Sequence, residues 1–310
     1  MMHIPKIESA DELIDRAFRK AKEIKNFNKK KKAIQKIRMV QKTIDSCLNK
    51  YVKAFPSFDN LHPFYNELLD VAVGIDELKK SLGAIDWARK KCNDISRIEI
   101  KKMRRSKEYD KIVKSAYGRI SSIVYRVSKN LEFLEEARIK IRNIPSIEID
   151  SPTVVIVGYP NVGKSSLLRH LSLAKPKIAP YPFTTTGLVL GHFSVEKKYI
   201  EHKVQVVEAP GLLDRPLSPK NRVEKQAMAA IYYLANVIVF MIDPTQYCGY
   251  SIKEQENLLA SMKKDISLPI IVVENKSDLC KSDRKCLKIS CKSGDGISEL
   301  KEEIIKNLEL

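Results

Sequence analysis

The sequence predicts an antiparallel bundle of helices followed by an α/β domain with a mostly parallel six-stranded sheet. In the first half, apolar residues recur at three- and four-residue steps, as in amphipathic helices. In the second half, short apolar runs alternate with helical patterns, which is typical of a parallel sheet with crossover helices. Residues 143–152 contain two prolines and interrupt the helical pattern. We therefore expect domains over residues 1–150 and 151–310.

The helices of the first domain are predicted from capping signals and apolar periodicity. Ser9 and Glu12 have the spacing of a capping box, which starts the first helix. A second helix should run from the lysines near residue 30 to Ala54, because Pro56 follows its end. Helices of these lengths with short joints favour an antiparallel bundle. The remaining helices are expected over about 60–73, 75–103 and 107–141.

The second domain has the element order of a Ras-like α/β domain. Strands 188–195 and 199–207 adjoin as a hairpin, so one edge strand should be antiparallel. Only 11 residues separate Asp278 from Ser290, so a helix there must be short or absent, and the loop 281–285 is expected to be mobile. The other strands are expected over 153–157, 236–242, 269–274 and 286–290, and the helices over 164–173, 222–235, 251–264 and 296–308.

A phosphate-binding loop is indicated by residues 158–165, which match G-x-x-x-x-G-K-S directly after an apolar strand. The glycines let backbone N–H groups face a triphosphate, Lys164 supplies charge to the outer phosphates, and the Ser165 hydroxyl can ligate Mg²⁺. A nucleoside triphosphate is therefore the expected ligand. The expected contacts in this loop are Asn161, Val162, Gly163, Lys164, Ser165 and Ser166.

The base is indicated by the motif Asn275-Lys276-Ser277-Asp278, which follows a second apolar strand. The Asp278 carboxylate can accept hydrogen bonds from both N1–H and the 2-amino group of guanine, whereas adenine would leave it unsatisfied. Such a site can reject the wrong base by roughly ten-thousandfold. Lys276 should lie along the base, and Asn275 should tie this loop to the phosphate loop. Backbone N–H groups of Ser290, Cys291 and Lys292 are expected at the guanine 6-oxo group, so GTP and GDP are the predicted ligands.

Two further segments are candidates for sensing the third phosphate. Phe183, Thr184 and Thr185 follow a proline-rich loop at 176–182, and Thr185 is the expected second protein ligand of Mg²⁺. Glu208 ends a strand and Gly211 follows it, so that the Gly211 N–H can bind the γ-phosphate. Glu208 stands where most GTP-binding domains carry Asp, and a carboxylate there can still act on the metal through water.

GTP hydrolysis is expected to be slow without help. The catalytic assignments are Lys164, Thr185 and Gly211, while Leu212 stands where many G proteins carry the glutamine that orients the attacking water. A partner, a rearranged loop or a monovalent cation can supply the missing function. Asn161 makes K⁺ one hypothesis, which equal turnover in sodium and potassium buffers would remove. A loop-capping role for Asn161 is the alternative.

The distribution of positive charge along the chain indicates a polyanionic partner. Residues 1–150 carry a net charge of +13, against +5 for residues 151–310. RNA is the expected partner, whereas a lysine-rich solvated surface is the alternative. Trp87 and Tyr117 are expected to pack between helices rather than stack on bases. The basic residues in question are 29–32, 89–91, 101–105, Arg119, Arg126, Arg138 and Arg142.

No membrane or DNA partner is expected, and a cytoplasmic location is predicted. The chain has no apolar run of the about 18 residues that a membrane helix needs, and its start lacks the pattern of a signal peptide. The six cysteines form no C-x-x-C pair and are expected to be reduced thiols. The sequence does not fix an oligomeric state.

Four stretches together resemble the nucleolar GTP-binding protein family, in an archaeal form, within the Obg-like GTPases. They are 158–166, 181–185, 209–216 and 82–87. The resemblance spans nearly the whole chain and implies a GTPase switch that binds the large ribosomal subunit, or its precursor, through ribosomal RNA during assembly. The chain departs from the family at Glu208, and it stops after the last predicted helix of the GTP-binding domain, without the long C-terminal extension of eukaryotic members. The rival interpretation is a switch that recruits a protein or senses a membrane surface.

Overall fold

A computed structural model of the chain describes residues 4–144, 147–179, 188–197, 199–208, 232–280 and 282–308. The fold divides into two compact units. The first comprises 1–61 and 72–142, and the second comprises 62–71 and 143–310. Residues 62–71 thus join the second unit although they lie early in the chain, and the division at residue 150 stays a prediction.

The N-terminal half is helical, as predicted. Its first helix begins with the expected capping box, because Ser9 N donates to the Glu12 carboxylate at 2.9 Å and Glu12 N donates to Ser9 Oγ at 3.2 Å. In chain order the helices are α1 (Ala10–Lys22), α2 (Lys29–Ala54), α3 (Pro63–Ala72), α4 (Ile75–Lys102), α5 (Tyr109–Arg126) and α6 (Ser128–Arg142), with a 3₁₀ turn at Phe58–Asn60 between α2 and α3. Of these, α3 belongs to the second unit except for its last residue, Ala72.

The prediction of a single helix over 107–141 is wrong in one respect, because the helix is interrupted at Val127. The Val127 backbone leaves helical geometry at φ −104° and ψ 14°, and its N–H bonds three residues back to Val124. The residues around the break, Tyr125 to Ser128, include a β-branched residue and a serine, whose helix propensity is low. The apolar periodicity continues across the interruption, so the pattern alone could not reveal it.

The two aromatic residues expected to pack between helices behave differently. Tyr117 stacks on Phe18 with ring centroids 4.5 Å apart, and burial raises its pKa to about 12. Trp87 is 42% exposed, and the Arg126 guanidinium lies over its ring at 5.8 Å. The prediction is therefore confirmed for Tyr117, whereas Trp87 contacts the neighbouring helix through Arg126 but stays partly exposed.

Among the described residues, the second unit is built on a mixed sheet of seven strands, in the order β2-β3-β4-β1-β5-β6-β7. The pairs β1–β4, β1–β5, β5–β6 and β6–β7 are parallel, whereas β2–β3 and β3–β4 are antiparallel. The strands are β1 (Thr153–Val157), β2 (Lys177–Ala179), β3 (Leu188–Lys197), β4 (Ile200–Glu208), β5 (Val237–Ile242), β6 (Ile270–Glu274) and β7 (Leu287–Lys288).

The sheet has one strand more than the six that were predicted. The additional strand is β2, which lies in the segment interpreted as a proline-rich loop. Ile178 pairs with Val189 at the sheet edge. Prolines at 176 and 180 flank this strand rather than interrupt it. A short edge strand tolerates flanking prolines because its outer N–H groups need no partner in the sheet.

Burial explains why the central strands could be predicted well. Every residue of β1 and β5 is buried, so both read as continuous apolar runs, as expected for strands covered on both faces. Three helices of this unit are α7 (Lys164–Leu171), α8 (Ile252–Asp265) and α9 (Ile297–Asn307). Residues 232–234 are also helical, and residues 222–231 of the helix predicted over 222–235 lie outside the described residues.

The described residues of the loop before β7 contain no helix, as predicted, but they are anchored rather than mobile. Ser282 Oγ donates to the Glu274 carboxylate at 2.6 Å, and Arg284 Nε donates to it at 3.1 Å. Arg284 also binds Glu256. Glu274 ends β6 and is almost fully buried, so the two hydrogen bonds also satisfy its charge.

A membrane-spanning helix, which must be long and apolar, is not found among the described residues.

Candidate nucleotide-binding site

The predicted phosphate loop joins β1 to α7 and has the geometry of an anion cradle. Gly158 and Gly163 have φ values of +146° and +107°, which favour glycine, and Asn161 takes the left-handed region at +63°. The first N–H groups of α7 have no intrahelical acceptors, and the helix dipole makes them attractive to phosphate. Ser165 and Ser166 lie in this first turn. The loop and helix therefore present donors where the sequence predicted them.

Lys164 is held inside the loop. It is only 6% exposed, and its Nζ donates to the carbonyls of Gly158 at 2.7 Å and Tyr159 at 2.9 Å. Carbonyl oxygens satisfy a buried ammonium group without neutralising it. The two carbonyls thus hold the ammonium group within the phosphate loop.

The base-recognition loop is tied to the phosphate loop by Asn275, as predicted. Asn275 Nδ2 donates to the Val162 carbonyl at 2.8 Å, and its Oδ1 accepts from Cys291 N at 3.0 Å. The side chain is almost fully buried. One amide thus fixes three loops relative to one another. His170 of α7 adds a further tie, since its Nε2 lies 2.8 Å from the Cys291 carbonyl oxygen.

Asp278 lies beside Ser290, whose hydroxyl donates to Asp278 Oδ1 at 2.7 Å. This hydrogen bond orients the carboxylate while leaving its other oxygen free of a protein partner among the described residues. An oriented acceptor is what guanine recognition requires. Lys276 and Asp278 lie at the carboxyl end of β6, so they share the edge of the sheet with the phosphate loop after β1.

The expected role of the last loop is corrected in part. Of its three backbone N–H groups, that of Ser290 donates to the Asp295 carbonyl and that of Cys291 to Asn275. Among the described residues, only Lys292 of these three has an N–H without an acceptor. Burial raises the pKa of the Cys291 thiol to about 11, so it stays protonated at neutral pH.

Asp243 is a site residue that the sequence analysis missed. It follows β5, is fully buried, and accepts a hydrogen bond from Lys276 Nζ at 2.6 Å. Burial acts to raise the pKa of Asp243, but hydrogen bonds from Lys276, Thr245 and the Cys248 N–H outweigh it and lower the pKa. The carboxylate thus anchors the Lys276 side chain. The sequence signal that could have found Asp243 is an aspartate at the carboxyl end of an apolar strand. That signal does not show which side chain the aspartate binds.

Glu208 and Ser165 meet at the phosphate loop. Glu208 ends β4, which pairs with β1 at Ile156, and its Oε1 accepts from Ser165 Oγ at 2.7 Å. Its Oε2 is buried and has no hydrogen-bond partner among the described residues. A hydroxyl and a carboxylate are oxygen donors of the kind that Mg²⁺ prefers, and an unsatisfied buried carboxylate oxygen favours a cation or its water shell. The residues present therefore fit the metal that the sequence predicted.

Four predicted contacts lie outside the described residues. They are Phe183, Thr184, Thr185 and Gly211. Their assignments to the third phosphate and to the metal stay predictions. Among the described residues, the structure brings together the phosphate loop, Glu208, the Asn275 to Asp278 motif and the Ser290 to Lys292 loop.

Comparison with known proteins covers both halves of the chain. Residues 2–148 match the family model of the NOG1 N-terminal helical domain, and residues 222–278 match that of nucleolar GTP-binding protein 1 (NOG1). An uncharacterized protein of Methanocaldococcus jannaschii is 39% identical over 91% of this chain and 81% of its own length.

Two relatives named nucleolar GTP-binding protein 1 match as well. That of Encephalitozoon cuniculi is 33% identical over 79% of this chain, and that of Arabidopsis thaliana is 34% identical over 88%. The match spans 46% and 40% of these two relatives' lengths, respectively. The resemblance found in the sequence is thereby confirmed, as is the expected class of enzyme: the chain belongs to the nucleolar GTP-binding protein 1 family, a family of GTPases.

Proposed function

We propose that this protein is a GTP-dependent switch that acts in assembly of the large ribosomal subunit. The observation that carries the nucleotide part is the coupling of the two recognition loops by Asn275. Its single buried amide binds the phosphate loop at Val162 and the base-side loop at Cys291. A ligand that carries both a guanine and a triphosphate would contact both sides of this tie. GTP and GDP are such ligands.

In this proposal Ser165 and Thr185 would hold Mg²⁺ together with the phosphates, and Glu208 would act on its water shell. When bound, the metal supplies charge that stabilises the phosphates. Lys164 contributes positive charge to the same oxygens, and Gly211 donates its N–H to the γ-phosphate. The contacts of the third phosphate with Thr185 and Gly211 would be lost after hydrolysis, which is the usual way that such loops report the nucleotide state.

Changing Glu208 tests the metal site. With Glu208→Gln, the Mg²⁺ concentration that gives half-maximal GTP binding should rise about tenfold or more, because an outer-sphere carboxylate loses its charge. The amide oxygen can still accept from Ser165 Oγ, so the fold should be preserved. Titration of Mg²⁺ at fixed GTP, followed with a fluorescent nucleotide, measures the effect. Glu208→Asp is the matched control because it keeps the charge, and an unchanged Mg²⁺ requirement in Glu208→Gln would contradict the assignment.

Hydrolysis is proposed to be slow. Leu212 cannot orient water by hydrogen bonding, since its side chain has neither donor nor acceptor. A partner, a loop rearrangement or K⁺ near Asn161 would supply the missing function. Asn161 is exposed, and its backbone lies in the left-handed region of φ and ψ. Both cation binding and loop capping are compatible with this position.

The ribosomal part of the proposal rests on the family and on the charge of the helical half. Nucleolar GTP-binding protein 1 is named for the nucleolus, and the net charge of +13 over residues 1–150 suits a phosphate-rich partner. A switch needs a different affinity for that partner in its two nucleotide states, since equal affinity shifts nothing. The proposed partners are therefore ribosomal RNA and the large subunit or its precursor, and a cytoplasmic location stays a prediction.

Sedimentation with large ribosomal subunits tests this function. Protein loaded with a non-hydrolysable GTP analogue should pellet with the subunits at low salt, pellet less at moderate salt, and pellet less when loaded with GDP. Salt dependence is expected because phosphate contacts release counterions. Absence of pelleting under every condition would reject the ribosomal role and favour a protein or membrane-surface partner instead.

A further inference from the structure

Several cations that the sequence indicated for RNA are already engaged within the helical unit. Arg119 lies 2.5 Å from the buried carboxylate of Glu99, and Arg138 lies 2.7 Å from Glu135. Arg89 is likewise paired with two aspartates. Binding of phosphate by these side chains would break charge-assisted hydrogen bonds, one of them to a buried group. They are therefore poor candidates for the principal RNA contacts.

A different surface of the same unit is open and strongly basic. A groove of about 710 Å³ is lined by the segment 5–8, by α1 and by α2. Five cationic side chains line it, against one carboxylate, that of Glu8. The cations are Lys6, Arg16, Lys20, Lys42 and Lys50. The excess positive charge makes an anion the expected occupant.

Three of these cations are available for a ligand. Within the described part of the chain, Lys20, Lys42 and Lys50 have no ion-pair partner, whereas Lys6 is paired with Glu12 and Arg16 with Glu8. Arg16 lines the groove as well, but its guanidinium is already engaged by Glu8 and by the Cys47 sulfur.

The spacing of the groove favours a linear polyanion over a single small one. Lys42, Ser46 and Lys50 recur at four-residue steps along α2, so each lies about 6 Å further along the helix axis than the last. Arg16 and Lys20 have the same step on α1. Rows of donors at this interval match successive phosphates of a nucleic acid strand. One compact anion could not reach both ends.

We propose that this groove binds the phosphodiester backbone of single-stranded RNA, with the strand following α2 from Lys42 to Lys50. The Ser46 hydroxyl, which is exposed between the two lysines, donates to a phosphate oxygen. The inference deepens the proposed ribosomal function, on which it rests for its biological setting. Recognition by charge and backbone spacing makes binding largely independent of base sequence.

Removing the three available lysines tests the groove. In the triple variant Lys20→Gln, Lys42→Gln and Lys50→Gln, affinity for a short fluorescein-labelled single-stranded RNA should fall on the order of tenfold to a hundredfold. The slope of log affinity against log salt should become shallower by about 2, since each lost phosphate contact removes about 0.7. Fluorescence anisotropy at a series of salt concentrations, with full-length protein, gives both quantities. Glutamine keeps the helix propensity of these positions.

The matched control removes the same charge from the other end of α2. The variant Lys29→Gln, Lys30→Gln and Lys31→Gln should retain RNA affinity within about threefold, because general electrostatic attraction alone is reduced. Removing positive charge at the first turn does not harm the helix dipole. Unchanged affinity in the groove variant, or an equal loss in both variants, would overturn the proposal.

Acetylation of the wild-type protein provides a test that does not depend on how the variants fold. Bound RNA should protect Lys20, Lys42 and Lys50 from a lysine-acetylating reagent, while Lys29 to Lys31 stay reactive. Equal reactivity of the two sets would reject the groove. Sedimentation reports separately on the ribosomal role. If RNA binding depends on the groove but the protein does not pellet with subunits, the ribosomal role is rejected and the groove is kept. If the groove variant pellets as the wild type does, the groove is rejected and the ribosomal role is kept.

Discussion

Replacing Asp278 by Asn should raise the Kd for GTP about a thousandfold and make xanthosine triphosphate a ligand. Guanine offers two donors, N1–H and the 2-amino group, and a carboxylate can accept from both. The oxygen of an Asn amide would accept a hydrogen bond from one of these donors, whereas the amide N–H would face the other donor and repel it. Loss of two charge-assisted hydrogen bonds at about 1.5–3 kcal/mol each is sufficient for a thousandfold change, which is about 4 kcal/mol.

Xanthine gives the same variant a matched ligand, because it carries a 2-oxo group in place of the amine. The Asn amide can donate to that oxygen and accept from N1–H. Ser290 supports this exchange, since its hydroxyl donates to Asp278 Oδ1 at 2.7 Å and can donate equally to an amide oxygen. The substitution should therefore change the preferred base without disturbing the loop.

Calorimetry with GTP, xanthosine triphosphate and ATP in Mg²⁺ measures the change. Asp283→Asn, at an exposed position five residues along the chain, is the control for loss of a nearby carboxylate and should bind GTP as wild type does. Wild-type GTP affinity in Asp278→Asn would contradict the base assignment. Comparable binding of GTP and ATP by the unmodified protein would remove it altogether.

Local signals in the sequence were sufficient for much of the fold and of the site. The capping box at Ser9 and the buried apolar run of β1 depend on neighbours in sequence, so their patterns could be read directly. The phosphate loop and Asn275 also have motifs that specify their neighbours. In each case the residue types at fixed spacing leave few other structures with satisfied hydrogen bonds.

Tertiary partners set the remaining features and left no local signal. Asp243 looks like any aspartate after a strand until the fold brings Lys276 within 2.6 Å. Ile178 joins the sheet because β3 lies beside it, and its own segment reads as a loop. Charge patterns mislead for the same reason, because Arg119 seemed a surface cation and is paired with a buried carboxylate. Prediction from sequence is weakest where a side chain's partner lies far along the chain.

Replacing Gly163 by Ala should lower nucleotide affinity by about a hundredfold or more and also destabilise the second unit. Gly163 has a φ of +107°, a region that costs a residue with a Cβ about 1–3 kcal/mol. A Cβ built there would lie 2.2 Å from Asn275 Nδ2, so the amide must move. Moving it breaks the 2.8 Å hydrogen bond to the Val162 carbonyl, which would leave a buried acceptor unsatisfied.

Gly118→Ala is the matched control for this substitution. Gly118 lies within α5, and a Cβ there would meet nothing within 4 Å. Alanine at this exposed helical position should stabilise the protein by about 0.5–1 kcal/mol and leave GTP binding unchanged. Urea unfolding and GTP calorimetry on both variants separate the two effects. If Gly163→Ala lost stability but bound GTP normally, the Asn275 tie would be a structural contact only, and the coupling of the two recognition loops would have to be assigned elsewhere.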